Sequence, residues 1–115
     1  ATTCGPCVAE IEASRRLRDS IAAMPGVELV FITNERQTSD KSYKEFTAKY
    51  LNGEESYRIP YDDWLRFMAL FKFNGIPHKE IVTPDGRIAN MEPPQLYHGE
   101  HALREIKRMA RELRK

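Results

Sequence analysis

The sequence predicts an α/β fold, a sheet flanked by helices. Three observations carry this expectation: apolar residues at helical spacing near the start, a β-branched run after them, and a chain order that moves repeatedly between helix and strand. Val8, Ile11, Leu17, Ile21 and Met24 form one apolar stripe, so a single long first helix is expected. Pro6 suits its first turn, where the missing N–H removes no bond, and Pro25-Gly26 stops it. Residues 27–33 (Val-Glu-Leu-Val-Phe-Ile-Thr) are apolar enough to form a buried strand.

The remaining elements follow in order. Residues 34–41 are polar and loop-like. A second helix is expected over about 42–51, with Tyr43, Phe46 and Tyr50 on one side, and Asn52-Gly53-Glu54-Glu55 is a turn. Pro60 starts a third helix whose spacing makes Trp64, Phe67, Met68 and Phe71 a core face rather than an aromatic binding stripe. Residues 78–83 read as a strand, with His78 at its edge. Pro84-Asp85-Gly86 reads as a tight turn, and 87–90 as the hairpin partner. A final helix over about 99–113 has Leu103, Ile106, Ala110 and Leu113 as its core face. A strand that leads into a crossover helix implies helices packed on the faces of a sheet.

Composition bounds the function. The 115 residues suit one domain, and 41% apolar with 30% charged residues describe a globular chain, neither disordered nor membrane-embedded. Eighteen basic and 17 acidic side chains leave a net charge of +1, so nothing favours a nucleic-acid partner. In the last helix Arg104, Lys107, Arg108, Arg111, Arg114 and Lys115 are interleaved with Glu105 and Glu112, the pattern of a solvated face. No apolar run approaches a membrane span. Because the chemistry begins at the fourth residue, the chain is expected to be a piece of a longer precursor. A targeting signal or membrane anchor would then lie before Ala1.

That chemistry is the Cys4-Gly5-Pro6-Cys7 motif. If Pro6 opens the helix, Cys4 lies at its N-terminus, where unsatisfied N–H groups and the dipole favour a thiolate. Thiolate is the attacking species in disulfide exchange. Cys7 lies further in, where burial would keep it protonated until a mixed disulfide forms. Cys4 is therefore expected to attack and Cys7 to resolve, with Gly5 and Pro6 setting the tightness of the ring. A zinc site completed by His98 and His101 needs ligands that lie far downstream in a chain large enough to fold without metal. A purely structural disulfide is also disfavoured, because so small a ring removes little chain entropy.

The stretch Ala-Thr-Thr-Cys-Gly-Pro-Cys-Val-Ala-Glu (1–10) resembles thioredoxin-like proteins, and among them the TlpA/ResA-like bacterial thiol–disulfide oxidoreductases. The second match is Phe73-Asn74-Gly75-Ile76-Pro77, followed by a strand-like run and Pro84-Asp85-Gly86-Arg87. The resemblance covers nearly the whole chain, making residues 1–115 one thioredoxin-like domain truncated at its N-terminus. Residues of about 36–71, including Trp64 after Tyr61-Asp62-Asp63, look like the helical insertion of Bacteroidetes members. In this family an Ile-Pro at the second match carries a cis peptide bond facing the cysteines. The resemblance thus implies that Pro77 is the cis-proline and that the Ile76 backbone pairs with a substrate chain in strand fashion.

Three departures stand out. Thr3 replaces the tryptophan usual before the first cysteine, and Glu12 replaces a proline, so the first helix is expected to lack a kink. The family's central strand, which precedes the motif and often carries a buried acid, is missing. Residues 27–33 and 78–83 would then flank a gap with unpaired backbone groups. A preceding segment or another chain is expected to fill it, by strand exchange or dimerisation. Without the usual acid, Glu10 is the nearest candidate for proton traffic, although a glutamate in the first turns of a helix also simply offsets the dipole.

The resemblance implies a periplasmic or otherwise extracytoplasmic thiol–disulfide oxidoreductase. It would reduce protein or peptide disulfides with a redox partner protein and no diffusible cofactor. A peptide-binding module and a disulfide-donating oxidant remain the alternatives. A thiol peroxidase would need a different motif around its cysteine.

Overall fold

The computed structural model describes residues 2–113. Arg114 and Lys115, the end of the basic series in the last helix, and Ala1, the first residue of the family-like stretch, lie outside them. The chain is mixed α/β and divides into two compact units, Ala1–Glu12 with Leu29–His78, and Ala13–Glu28 with Lys79–Lys115.

The helical run that opens the sequence is interrupted. Helix α1 spans Gly5–Ala13 and α2 spans Arg15–Ala22, with Ser14 between them at φ −107°, ψ 12°. One long helix was expected, but no proline is required for the break. Ser14 is 1% exposed, its carbonyl accepts from the Arg18 N–H at 2.9 Å and its Oγ accepts from Arg18 Nε at 3.2 Å. The Ser14 hydroxyl makes no capping bond to the α2 backbone; the break lies in the Ser14 backbone dihedrals, while its carbonyl starts the α2 ladder.

The first unit holds the sheet. Strand β1 (Phe31–Asn34) runs parallel to β2 (Ser56–Ile59), pairing Phe31 with Ser56 and Asn34 with Ile59. Residues 27–33 were expected to form a fully buried strand. The strand instead starts at Phe31, and burial alternates: Phe31 and Thr33 turn inward, while Val30 and Ile32 stay 41% and 40% exposed. Side chains alternate between the two faces of a strand, and Phe31 and Thr33 share the more covered one; Asn34, at the strand's end, is buried as well. β2 lies inside the span expected to be a helical insertion. Ser-Tyr-Arg-Ile lacks an apolar run, and its strand conformation comes from pairing with β1, a context that outweighs weak local preference.

Between the strands lie α3 (Asp40–Phe46) and a π-helical turn, Thr47–Leu51. Ser39 caps α3, its hydroxyl accepting from the Ser42 N–H at 3.1 Å. Helix α4 (Tyr61–Phe71) follows β2 directly, and Pro60 stands at its N-cap. Trp64 is buried, and Phe67, Met68 and Phe71 are half-buried, on the face that the spacing indicated. The helix ends at Lys72 in the left-handed region, φ 57°, where the Lys72 and Phe73 N–H groups both reach the Met68 carbonyl.

The second unit packs α2 against α5 (Glu100–Leu113). Its buried apolar residues are Leu17, Ile21, Ala89, Leu96, Ala102 and Met109. The inward face of α5 is centred on Ala102 and Met109, with Leu103, Ile106, Ala110 and Leu113 half-buried beside them. The expected strand over residues 78–83 is not formed. Only the isolated antiparallel bridge between Val82 and Ile88 is present, closed by Thr83 N–H to Arg87 O and Ala89 N–H to Ile81 O, each 2.8 Å. The expected turn is there, with Gly86 at φ 85°. The sheet expected to place 27–33 and 78–83 on either side of a gap is therefore, among the described residues, the single pair β1–β2.

Truncating Ile21, 2% exposed, to alanine should lower the unfolding free energy by about 2–5 kcal/mol, read by denaturant titration. Leu70→Ala, at a side chain 58% exposed, should change it by no more than about 0.5 kcal/mol. On α5, the hydrogen bond from Arg108, reinforced by its charge, holds the Glu105 carboxyl below the ordinary glutamate range. A lowered folded pKa gives a contribution present above the unfolded value and lost as pH falls through the folded one. Arg108→Ala should move the Glu105 titration upward, followed by carboxyl-carbon NMR; an unmoved midpoint would exclude the pairing as its cause.

Candidate functional site

The two cysteines sit where the chain enters α1. The Cys4 carbonyl accepts from the Val8 N–H at 3.0 Å, so Cys4 itself occupies the N-cap, Gly5 opens the helix and Pro6 is its second residue. The Cys7 N–H donates to Cys4 Sγ at 3.2 Å, using sulfur as the capping acceptor that serine or aspartate usually supplies. A disulfide joins Cys4 and Cys7, whose Cα atoms are 5.2 Å apart. Both residues are half-buried, so burial does not distinguish attacker from resolver as the sequence suggested. What distinguishes them is the N–H aimed at Cys4. Gly5 and Pro6 are exposed, and a Cβ on Gly5 would meet nothing within 4 Å, so no packing demand within the chain explains the glycine.

Glu10 lies three residues beyond Cys7 on α1 and is 8% exposed. Every fully buried side-chain nitrogen and oxygen among the described residues has a hydrogen-bond partner. A carboxyl so deeply placed is not the solvent-facing dipole partner common in first turns.

The Ile76–Pro77 peptide bond is cis. Its loop is tied to α4 through aromatic rings. Phe73 meets the Trp64 ring edge-on at 5.7 Å and stacks on His78 at 4.3 Å, with 13° between planes. His78 is thus the closing side chain of the loop rather than the edge of a strand. Ile76 is half-buried and Pro77 exposed. Cys4, Cys7, Glu10, Ile76 and Pro77 all belong to the first unit.

Sequence reasoning missed the buried polar turn that follows β1. Asn34 is fully buried; its Oδ1 accepts from the Arg36 and Gln37 N–H groups at 3.1 and 2.9 Å, and its Nδ2 donates to Gln37 Oε1 at 2.8 Å. Thr38, 1% exposed, completes the turn with its N–H on the Asn34 carbonyl. An asparagine directly after a β-branched run is the sequence signal for such a turn.

His98 and His101 lie in the second unit, ring centroids 5.9 Å apart. Among the described residues no three His, Cys, Asp or Glu side chains converge to hold a metal ion, and no helix is long and apolar enough to cross a membrane. Comparison with protein-family models, with curated proteins and with solved structures returns no match for the chain.

Proposed function

We propose that this chain is a thioredoxin-like thiol–disulfide oxidoreductase of the TlpA/ResA-like kind that reduces protein disulfides. The observation that carries the reading is the Cys4–Cys7 disulfide at the mouth of α1, with the Cys7 N–H directed at Cys4 Sγ. An N–H donor and a helix N-terminus both favour negative charge on the sulfur they face, and a thiolate is the attacking form.

In the reduced protein the Cys4 thiolate attacks one sulfur of a substrate disulfide. A mixed disulfide forms, and the other substrate sulfur leaves as a thiolate that takes up a proton. Cys7, losing its proton, attacks Cys4 Sγ and expels the second substrate thiol. Two electrons have passed to the substrate, and the Cys4–Cys7 disulfide is restored. A dithiol partner protein returns the two electrons for the next cycle. The buried Glu10 carboxyl, one turn beyond Cys7, is the proposed acceptor for the Cys7 proton. The cis-proline loop at Ile76–Pro77 is the proposed backbone edge for the substrate chain. An extracytoplasmic location suits such an exchange, since disulfides persist there.

The same reading concerns β1, which among the described residues pairs only with β2. Phe31 and Glu35 both turn their N–H groups toward β2, and among the described residues no strand runs along the other edge of β1. We propose that a strand lent by a second copy adds to that edge, as unpaired strand edges invite. Light scattering across a concentration series decides it: dimers that dissociate on dilution support the exchange, and a monomer throughout removes it.

Turnover is the primary test. Cys4→Ser should abolish reduction of an insulin-type disulfide substrate, and Cys7→Ser should accumulate the mixed disulfide on Cys4, visible by non-reducing electrophoresis and mass. A Cys4→Ser variant that keeps its partner while the native chain shows no turnover would mean a binding module instead. A reduction potential near about −270 mV fits a reductase, and one near about −120 mV would reverse the direction of electron flow.

A further inference from the structure

We infer that Thr38 is the positioning residue for Cys4, an assignment that rests on the redox reading of the cysteine pair. Thr38 lies 34 positions along the chain from Cys4, yet all four of its polar contacts concern the approach to the motif or the strands beneath it. Its N–H donates to the Asn34 carbonyl at 3.1 Å, at the end of β1. Its carbonyl accepts from Arg58 Nε of β2 at 2.8 Å. Its Oγ1 lies 2.9 Å from the Thr33 hydroxyl of β1 and accepts from the Thr2 N–H at 3.4 Å.

A hydroxyl has one proton and two lone pairs. Thr38 Oγ1 accepts from the Thr2 N–H and shares a hydrogen bond with the Thr33 hydroxyl in which either oxygen can donate, so the hydroxyl has a role on both sides. The residue is 1% exposed, so water does not compete for these bonds. Thr2 is two residues before Cys4 and belongs to no helix or strand. Its N–H contact with Thr38, long at 3.4 Å, ties this incoming segment to the paired strands. The sulfur at the N-cap depends on where that segment enters α1, because small displacements weaken the aligned N–H contact from Cys7. Thr38 touches neither sulfur and acts through Thr2.

Four variants test this in a Cys7→Ser background, where only Cys4 reacts: T38V, T38S, T33V and T2P. T38V is nearly isosteric and loses the hydroxyl, T38S keeps it, and T33V removes the other hydroxyl partner. T2P deletes the N–H donor from a residue outside the core. The readout is the rate of Cys4 alkylation by iodoacetamide as a function of pH, with the glutathione equilibrium of the two-cysteine forms as a second measure. T38V and T2P should each slow alkylation at neutral pH by about threefold or more and displace the pH profile, while T38S and T33V stay within about twofold of the parent. A parental profile for T38V and T2P overturns the assignment, as does a T33V shift equal to that of T38V. Should T38V fail to fold, T2P decides alone. Failure of the oxidoreductase reading is visible separately, as absence of turnover in the native chain with the alkylation profiles still ordered as expected.

Discussion

Parallel pairing of β1 with β2 brings Thr33 and Asn34 to the same end of the sheet as Arg58 and Ile59, and the chain leaves β1 there by a turn whose ends, Asn34 and Thr38, are buried while residues 35–37 are exposed. A buried polar group at such a turn needs a hydrogen bond, because an unpaired one costs on the order of 1–3 kcal/mol. The Asn34 side chain accepts from two backbone N–H groups and donates to the Gln37 side chain, and Thr38 links the turn to both strands. The largest fully buried side chains among the described residues are polar: Asn34, Thr38 and Ser14. Position in the first unit is set as much by this network as by Leu51 and Trp64, its most buried apolar side chains.

The sulfur site grows out of the same arrangement. A helix N-terminus has donors with no partner in the preceding turn, and here one of them finds the sulfur of the N-cap residue rather than an oxygen. The proline at position 6 withholds an N–H that would otherwise compete, and Gly5 leaves the outer side of the ring open. The loop at Ile76–Pro77 is positioned independently, by the left-handed end of α4 at Lys72 and by the Trp64–Phe73–His78 series of rings. Helix packing serves a different purpose in the second unit, where α2 and α5 bury the apolar sides of otherwise charged helices. Surface pairs such as Asp63–Arg66 and Glu105–Arg108 sit on exposed helical faces and contribute little to stability.

Helix α4 shows both what periodicity predicts and where it stops. The spacing of Trp64, Phe67, Met68 and Phe71 picked the inward face, yet Leu65 and Leu70 remain 44% and 58% exposed on the other. Ile59, Phe67 and Leu70 line a shallow apolar groove edged by Asp63 and Arg66. Burial in α5 followed the helical period too, but with the centre on Ala102 and Met109, since a small side chain marks the point of closest approach and a flexible one fills the remainder.

Local features were legible in the residues themselves. Helical spacing marked α4 and α5, Pro84-Asp85-Gly86 marked the turn, and Cys-x-x-Cys marked the cysteine pair joined at the start of α1, because each depends on neighbours within a few residues. The tertiary structure decided what depends on distant partners. Ser-Tyr-Arg-Ile became β2 by pairing with β1, while residues 78–83, the more strand-like in isolation, form among the described residues only the bridge of Val82 with Ile88. The burial of Glu10 and the contacts of Thr38 with Thr2, Thr33 and Arg58 likewise follow from bonds and packing beyond the local sequence. Strand pairing and buried hydrogen bonds join residues far apart in the chain, so no window of sequence contains both partners.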